Sequence, residues 1–409
     1  MKKDSKKKSE GLTQNTKNKS KRIKKILNKN KSKHGGKLIN SGGFGCVFKP
    51  ALKCKGKETR KKNYVSKLAN KRDIDDEYNN FRVIKKLLEK KPEIEKYFII
   101  NVNKCKPEKL TENDMENLER CSILENSGLN KSNINKHLDK FEILNIPYGG
   151  QDLWKLADNN KLPEYSIVYN KLVNLLVKAI FPMNELNIFH LDIKANNVLY
   201  SSKKKPLKLI DYGLLGISEK NKIPEVITNR RIQFNTPFSC LVFNSIFMKE
   251  LLNRFKNKNI KKDSKNIYNI TTNTYLDFLN KNNYYGHEGF IANVILPNLQ
   301  MNIKKTINEQ LTFYSVVGRF LTNILIKYLN FKNYEFYCEK YFNEIYSKNV
   351  DIYGWIMCFC IYLKDNKYPL KTLNKTTSNK ISETIYKYCI SPEYSIKPIP
   401  YKQVIASLK

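Results

Sequence analysis

One change of period constrains this chain more than any other feature. From Lys37 to Pro147 the apolar residues come in short β-branched and aromatic runs divided by glycine and polar turns. Beyond Pro147-Tyr148-Gly149-Gly150 they recur at helical spacing. Lys37 to Asn40 and Cys46 to Phe48 flank the cluster Ser41-Gly42-Gly43-Phe44-Gly45, and Tyr64-Val65-Ser66-Lys67-Leu68 follows, which predicts strand, glycine turn, strand and third strand. Asp75 and Asp76 offer an N-cap to a helix on which Glu77, Phe81, Ile84 and Leu88 share one face, so Glu77 points with the apolar stripe. Runs at Phe98 to Val102 and Phe141 to Ile146 predict two further strands around a charged loop insertion. Further on, Val168, Leu172, Leu175, Ala179 and Leu186 line one face of a long helix, and Ile352 to Leu363 is apolar on every side, as a central helix of a helical lobe would be. The expected class is α+β, strand-rich first and helix-rich afterwards.

The 409 residues suit a two-lobed enzyme or two ordinary domains, and 41% hydrophobic with 11% aromatic residues is enough to build cores. A net charge of +37 raises nucleic acid or an anionic membrane as partner. The charge is nearly all lysine, however, and asparagine, isoleucine and tyrosine are abundant throughout, which favours codon bias over a dedicated binding patch. Residues 1–36 hold few apolar side chains and read as a disordered, solubilising basic tail. Nine cysteines are scattered without paired CxxC spacing, so they are expected to be reduced thiols of a cytosolic protein rather than zinc ligands. The run from Ile352 is too short for a bilayer, and no signal peptide is legible. No transmembrane segment is therefore expected, and a soluble cytoplasmic protein is, with the nucleus as the other option.

The chemistry concentrates in His190-Leu191-Asp192-Ile193-Lys194-Ala195-Asn196-Asn197, the apolar Val198-Leu199-Tyr200, and Leu209-Ile210-Asp211-Tyr212-Gly213. Phosphoryl transfer asks little covalent help of a protein. It needs a base at the acceptor hydroxyl, metal ions across the phosphates and positive charge at the transferring group. Asp192, Asn197 with Asp211, and Lys194 would supply these in turn.

His190 to Asn197 resembles the HRDLKxxN catalytic loop of eukaryotic-type protein kinases, and Asp211-Tyr212-Gly213 resembles their DFG motif. The resemblance implies Asp192 as catalytic base, Lys194 as the phosphate contact usual in serine/threonine-type members, and Asn197 and Asp211 as Mg²⁺ ligands. The segment Ile39, Asn40, Ser41, Gly42, Gly43, Phe44, Gly45, Cys46 and Val47 is similar to the family's GxGxxGxV loop over the ATP phosphates, with Asn40 where the first glycine usually stands. Lys67 resembles the lysine of VAIK. Glu77 would be its ion-pair partner, at a shorter spacing than is usual. Ile146 to Leu153 resembles the adenine-holding hinge, and Val350 to Gly354 the start of the central buried helix.

The implied architecture is a bilobal protein-kinase-like fold. Its small β-rich N-lobe would span residues 37–147 and its large helical C-lobe 148–409, with a divergent insertion at about 220–347 and no Ala-Pro-Glu after Gly213. The lysine bias and the Gly42 to Leu52 stretch most resemble the divergent kinases of giant DNA viruses of the mimivirus type, which would place the protein in host cytoplasm or virion. ATP, Mg²⁺ and a protein hydroxyl are the implied cofactors and partner. A small-molecule kinase of the choline or aminoglycoside type shares HxDxxxxN, but Lys194, the glycine cluster and Gly213 favour a protein substrate. A pseudokinase or basic nucleic-acid scaffold is the other alternative; the filled base and metal positions speak against it. His190 and Trp154 read as packing residues.

The position before the aspartate, where many kinases carry a phosphate-binding arginine, is Leu191, which has no donor. The segment after Gly213 is thus expected to be held by burial of Phe234, Phe238, Leu241, Val242 and Phe243 and not by a phosphate. Arg230 and Arg231 are the residues that could build a phosphate site another way.

Overall fold

A computed structural model describes residues 35–42, 45–220, 222–282, 286–303, 312–363 and 373–409. The chain divides into two compact units, one comprising the described residues up to Arg82 with Ile100–Tyr148, the other Val83–Ile99 with Gly149–Lys409. The expected basic tail lies outside the described residues except for Gly35 and Gly36. These two are buried, and the Gly36 N–H donates to Asp114 Oδ1 at 2.6 Å.

The first unit is built on a five-stranded antiparallel sheet in the order β1-β2-β3-β5-β4. Strand β1 (Lys37–Gly42) pairs with β2 (Gly45–Lys49), placing Ser41 opposite Cys46 and Gly42 opposite Gly45, with a register shift at Ile39. In β3 (Tyr64–Asn70) Lys67 stands opposite both Val47 and Leu144, so these three side chains share a face of the sheet. Helix α1 (Lys71–Leu88) follows β3 with no intervening residue. Phe81, Ile84 and Leu88 are buried as their spacing predicts, joined by Ile74. Asp75 and Asp76 are not caps but lie inside the helix, because β3 leaves no loop in which a cap could form; Asp73 supplies the acidic first turn.

The strand expected at Phe98 to Val102 forms later in the chain, as β4 (Asn103–Cys105) beside β5 (Phe141–Pro147). Phe98, Ile99 and Ile100 are buried outside any strand, with Phe98 forming an isolated parallel bridge to Leu209, so their apolar character reports burial more than sheet formation. The stretch between β4 and β5 is a series of short helical turns tied down by Asp114. Its carboxylate receives both Arg60 guanidinium nitrogens, at 2.8 and 2.7 Å, and the Thr111 N–H and O–H.

Two disulfides cross this unit, Cys46–Cys121 and Cys54–Cys105, with Cα separations of 5.7 and 5.8 Å. They correct the expectation of nine reduced thiols. The partners lie 75 and 51 residues apart in sequence, and only sheet pairing and the folded β4–β5 segment bring them together. Cys240, Cys338, Cys358, Cys360 and Cys389 are free.

The second unit is mainly helical. Short strands β6 (Gln151–Asp152), β8 (Val198–Tyr200) and β9 (Lys208–Leu209) form one small sheet, while β7 (Ile188–Phe189) pairs with β10 (Gly216–Ile217). Helix α2 (Tyr165–Leu175) runs on through a π turn at Leu176–Ile180 to Glu185, burying Val168, Leu172, Leu175 and Ala179; Leu186, at the helix end, is half-buried. From Asn349 on, helix α3 (Ser347–Met357) and the turn Cys358–Tyr362 are buried on all sides, and the Trp355 indole N–H donates to the Leu172 carbonyl at 2.7 Å. The described residues of the long stretch after Lys220 are largely helical. They include the helices Ser245–Asn257, Ser264–Asn282 and Phe313–Tyr328, locked by ring contacts such as Phe238 on Phe320 at 5.5 Å. Among the described residues no helix is long and apolar enough to cross a membrane.

Alkylation of the denatured protein without reductant should label five thiols, and nine after reduction. Breaking the Arg60–Asp114 pair by Asp114→Ala should cost about 3 kcal/mol, since it leaves the Arg60 guanidinium, 11% exposed, with the Ala51 carbonyl but no carboxylate. Burial alone would raise the Asp114 carboxyl, but the Arg60 and Thr111 hydrogen bonds hold it below its ordinary value of 3.8. Its stabilising contribution is therefore complete above that value and lost as pH falls below it. Denaturant titrations of wild type and Asp114→Ala at neutral and acid pH check both points: the gap between the two proteins should narrow in acid.

Candidate catalytic and nucleotide site

In the first unit the glycine hairpin and Lys67 meet through Gly45. Its φ of +140° is one that glycine alone adopts freely, and a Cβ there would stand 2.8 Å from the Leu68 carbonyl oxygen and 3.1 Å from Lys67 Cε. Lys67 Nζ donates to Glu77 Oε2 at 2.5 Å. The short spacing between these two follows from the direct junction of β3 with α1, which brings Glu77 back over the strand within two helical turns.

The remaining hairpin residues differ in what they offer. Asn40 needs no glycine-like dihedral: it sits in register opposite Val47, and its Oδ1 accepts from the Ser41 N–H at 3.0 Å. Ile39 lies at the register shift and is half-exposed. Gly42 faces open space. Cys46 is buried and its sulfur is bonded to Cys121, so only its backbone is available to a ligand; Val47 is half-buried on the Lys67 face. Gly43 and Phe44 lie outside the described residues. The Ser41 and Ser122 hydroxyls are 3.1 Å apart, and Ser122 Oγ donates to the Gly42 carbonyl at 3.3 Å, so the hairpin is clamped beside its disulfide.

In the second unit a buried carboxylate organises the loop that carries Asp192. Asp351 of α3 accepts from the His190 and Leu191 N–H groups, each at 2.9 Å, and from Asn184 Nδ2 at 2.8 Å. These bonds hold Leu191 at φ +61°, a strained conformation for a branched side chain. Gly354, one turn later on α3, lets the loop settle: a Cβ there would come within 2.6 Å of the Ile193 carbonyl. His190 is buried, with Nε2 3.1 Å from the Ile210 carbonyl, which is a packing role.

Asp192, Lys194 and Asn197 converge. Lys194 Nζ lies 3.0 and 2.9 Å from the two Asp192 oxygens, and Asn197 Nδ2 donates to Asp192 Oδ2 at 2.9 Å and to its backbone carbonyl at 2.8 Å. The Ile210 N–H donates to the Asn197 carbonyl at 3.1 Å, which sets Asp211 directly after this anchor. Asp211 is exposed with φ +69°. The Tyr212 side chain beside it is buried, its hydroxyl donating to Leu209 O at 2.8 Å and accepting from the Ile99 N–H at 3.1 Å.

Sequence reasoning missed two contributors from the long stretch after Gly213. Asn235 Nδ2 donates to Asp192 Oδ1 at 2.9 Å. His287 stacks on Phe234 at 5.5 Å and is held below its ordinary value, first by burial and then by the Lys194 charge. Neither belongs to a motif, so no local signal marks them. Arg230, considered as a phosphate ligand, is instead buried, donating to the Leu191 carbonyl and to Gln233 Oε1, both at 2.8 Å. Phe234, Phe238, Leu241, Val242 and Phe243 are all buried, as expected of a segment held by apolar packing.

No protein-family model and no curated protein matches the chain. Among solved structures it is similar to the Cydia pomonella granulovirus kinase PK-1, with 19% sequence identity over 55% of this chain and 66% of that one. The TM-score of 0.29 is too low for that likeness to bear on either fold or activity.

Proposed function

We propose that the protein is an ATP-dependent serine/threonine protein kinase of the divergent viral type. The observation that carries this reading is the Asp192 carboxylate, held by Lys194 and Asn197 with Asp211 on the turn that Asn197 anchors. In the reaction, Asp192 takes the proton of an acceptor hydroxyl. The hydroxyl oxygen bonds to the γ-phosphorus, the bond to the β,γ-bridging oxygen breaks, and ADP leaves. Lys194 offers its ammonium to the charge on the transferring group. Lys67, oriented by Glu77, is assigned to the nucleotide phosphates, with the backbone of the glycine hairpin.

The donor set suits a magnesium ion. Asn197 commits its amide nitrogen to Asp192, which leaves the amide oxygen as the atom that would meet a cation, and the exposed Asp211 would add a hard carboxylate. Mg²⁺ held there would neutralise charge on the β- and γ-phosphates. Lys194 supports a serine or threonine acceptor. The lysine-rich composition and the Gly42 to Leu52 stretch support the viral assignment.

With labelled ATP, Mg²⁺ and a generic protein substrate, Asp192→Asn should lower kcat by roughly 10²–10⁴-fold, and Asp211→Asn should abolish transfer, both with unchanged thermal melting. Lys67→Arg should also lose activity, since a planar fork cannot replace an ammonium at that point. Wild-type turnover in either aspartate variant would sink the mechanism. Transfer to choline or an aminoglycoside but to no protein would replace it with the small-molecule reading. Because Leu191 has no donor and Arg230 is already committed, protein co-expressed with a phosphatase and shown by mass spectrometry to be unphosphorylated should turn over without a lag. A lag abolished by prior incubation with ATP would show that phosphate is needed.

A further inference from the structure

A carboxylate offers about four lone-pair positions, and those of Asp192 are filled. Lys194 reaches both oxygens, Asn235 Nδ2 reaches Oδ1 at 2.9 Å and Asn197 Nδ2 reaches Oδ2 at 2.9 Å. A base so occupied accepts a hydroxyl proton only after one donor withdraws.

The donors differ in their freedom to do so. Asn197 is 5% exposed and is tied a second time to the Asp192 carbonyl. Asn235 is 1% exposed and is tied a second time to the Ile193 carbonyl at 3.2 Å. Its backbone oxygen lies 3.2 Å from where a Cβ on Gly354 would be, so α3 packs directly against it. Lys194 has a flexible stem and a side chain that is 19% exposed. Asn235 also shows an anomaly, because its Oδ1 is buried with no hydrogen-bond partner among the described residues. A buried acceptor left unmatched is costly. Its retention makes sense if the nitrogen side of the amide is what the site requires.

We infer that Asn235 is a positioning residue that fixes one oxygen of Asp192, leaving Lys194 as the donor that is exchanged when the acceptor hydroxyl arrives. This rests on the kinase reading above and adds to it a residue from the long segment between Gly213 and α3. The segment thereby becomes part of the reaction geometry. Charged and titratable groups facing Asp192 are Lys194 from its own loop, Arg230 on the neighbouring Leu191 carbonyl, and His287 from the short helix Gly286–Phe290.

The test compares full-length wild type, Asp192→Asn, Asn235→Ala and Asn235→Asp by steady-state kinetics and thermal melting. Asn235→Ala should lower kcat about 10–100-fold, the cost of a misplaced reacting group, with KM for ATP within about twofold of wild type. The near-isosteric Asn235→Asp sets a second carboxylate against Asp192. It should lower kcat at least as far as Asn235→Ala with KM for ATP again within about twofold, because an ionised carboxylate cannot donate to the Asp192 oxygen. An Asn235→Ala enzyme with wild-type kcat overturns the inference. So does an Asn235→Asp enzyme whose melting temperature falls while its kcat stays at the wild-type value, since that is a structural role alone. Absence of phosphoryl transfer by wild type, indistinguishable from Asp192→Asn, overturns the kinase reading itself and the inference with it.

Discussion

The second unit depends on one buried carboxylate. Asp351 is 1% exposed, and its carboxylate accepts from two backbone N–H groups and the Asn184 amide. Those same bonds force the backbone through a positive φ at Leu191 and deliver Asp192 on the far side of the turn. Because Asp351 sits on the most deeply buried helix, the loop it holds inherits that helix's rigidity. Gly354 completes the arrangement by removing the side chain that would keep Ile193 and Asn235 away. Strain in the loop is offset by hydrogen bonds to a core element, which is how a reactive group is held without depending on solvent-exposed contacts.

The first unit solves a different problem, that of holding a glycine hairpin. Glycines allow the backbone close to a ligand but contribute no side-chain packing of their own. Here the missing restraint comes from the segment between β4 and β5, through Cys46–Cys121, the paired hydroxyls of Ser41 and Ser122, and the bond from Ser122 to Gly42. Asp114, bonded to Arg60 and Gly36, ties the same segment to the start of β1. A stretch that reads as a polar insertion is thus the brace of the hairpin.

Much of the candidate site was legible because its residues are close in sequence. Asp192, Lys194 and Asn197 fall within one loop, and the short paired strands β8 and β9 lead on to Asp211. Glu77 was legible as a core-facing residue from the i, i+4 stripe of α1, whereas Lys67 was marked only by its resemblance to the VAIK lysine. Where the reading failed, a local preference lost to a tertiary partner. Asp75 and Asp76 have good capping chemistry but no loop in which to use it, and Phe98 to Ile100 have strand composition but are buried elsewhere.

What the sequence determined by itself was the change from strand-rich to helix-rich, the faces of its amphipathic segments and the local clustering of acid, amide and lysine around Asp192, because these depend on spacings of a few residues. Tertiary structure alone decided that Cys46 meets Cys121 and Cys54 meets Cys105, that Arg230 binds the Leu191 carbonyl, and that Asn235 completes the shell of Asp192. Each of these contacts joins residues far apart in the chain, from 39 for Arg230 and Leu191 to 75 for the longer disulfide. No propensity or period encodes such a pairing. It exists only after apolar burial has closed the intervening loop and the polar groups left inside must find partners.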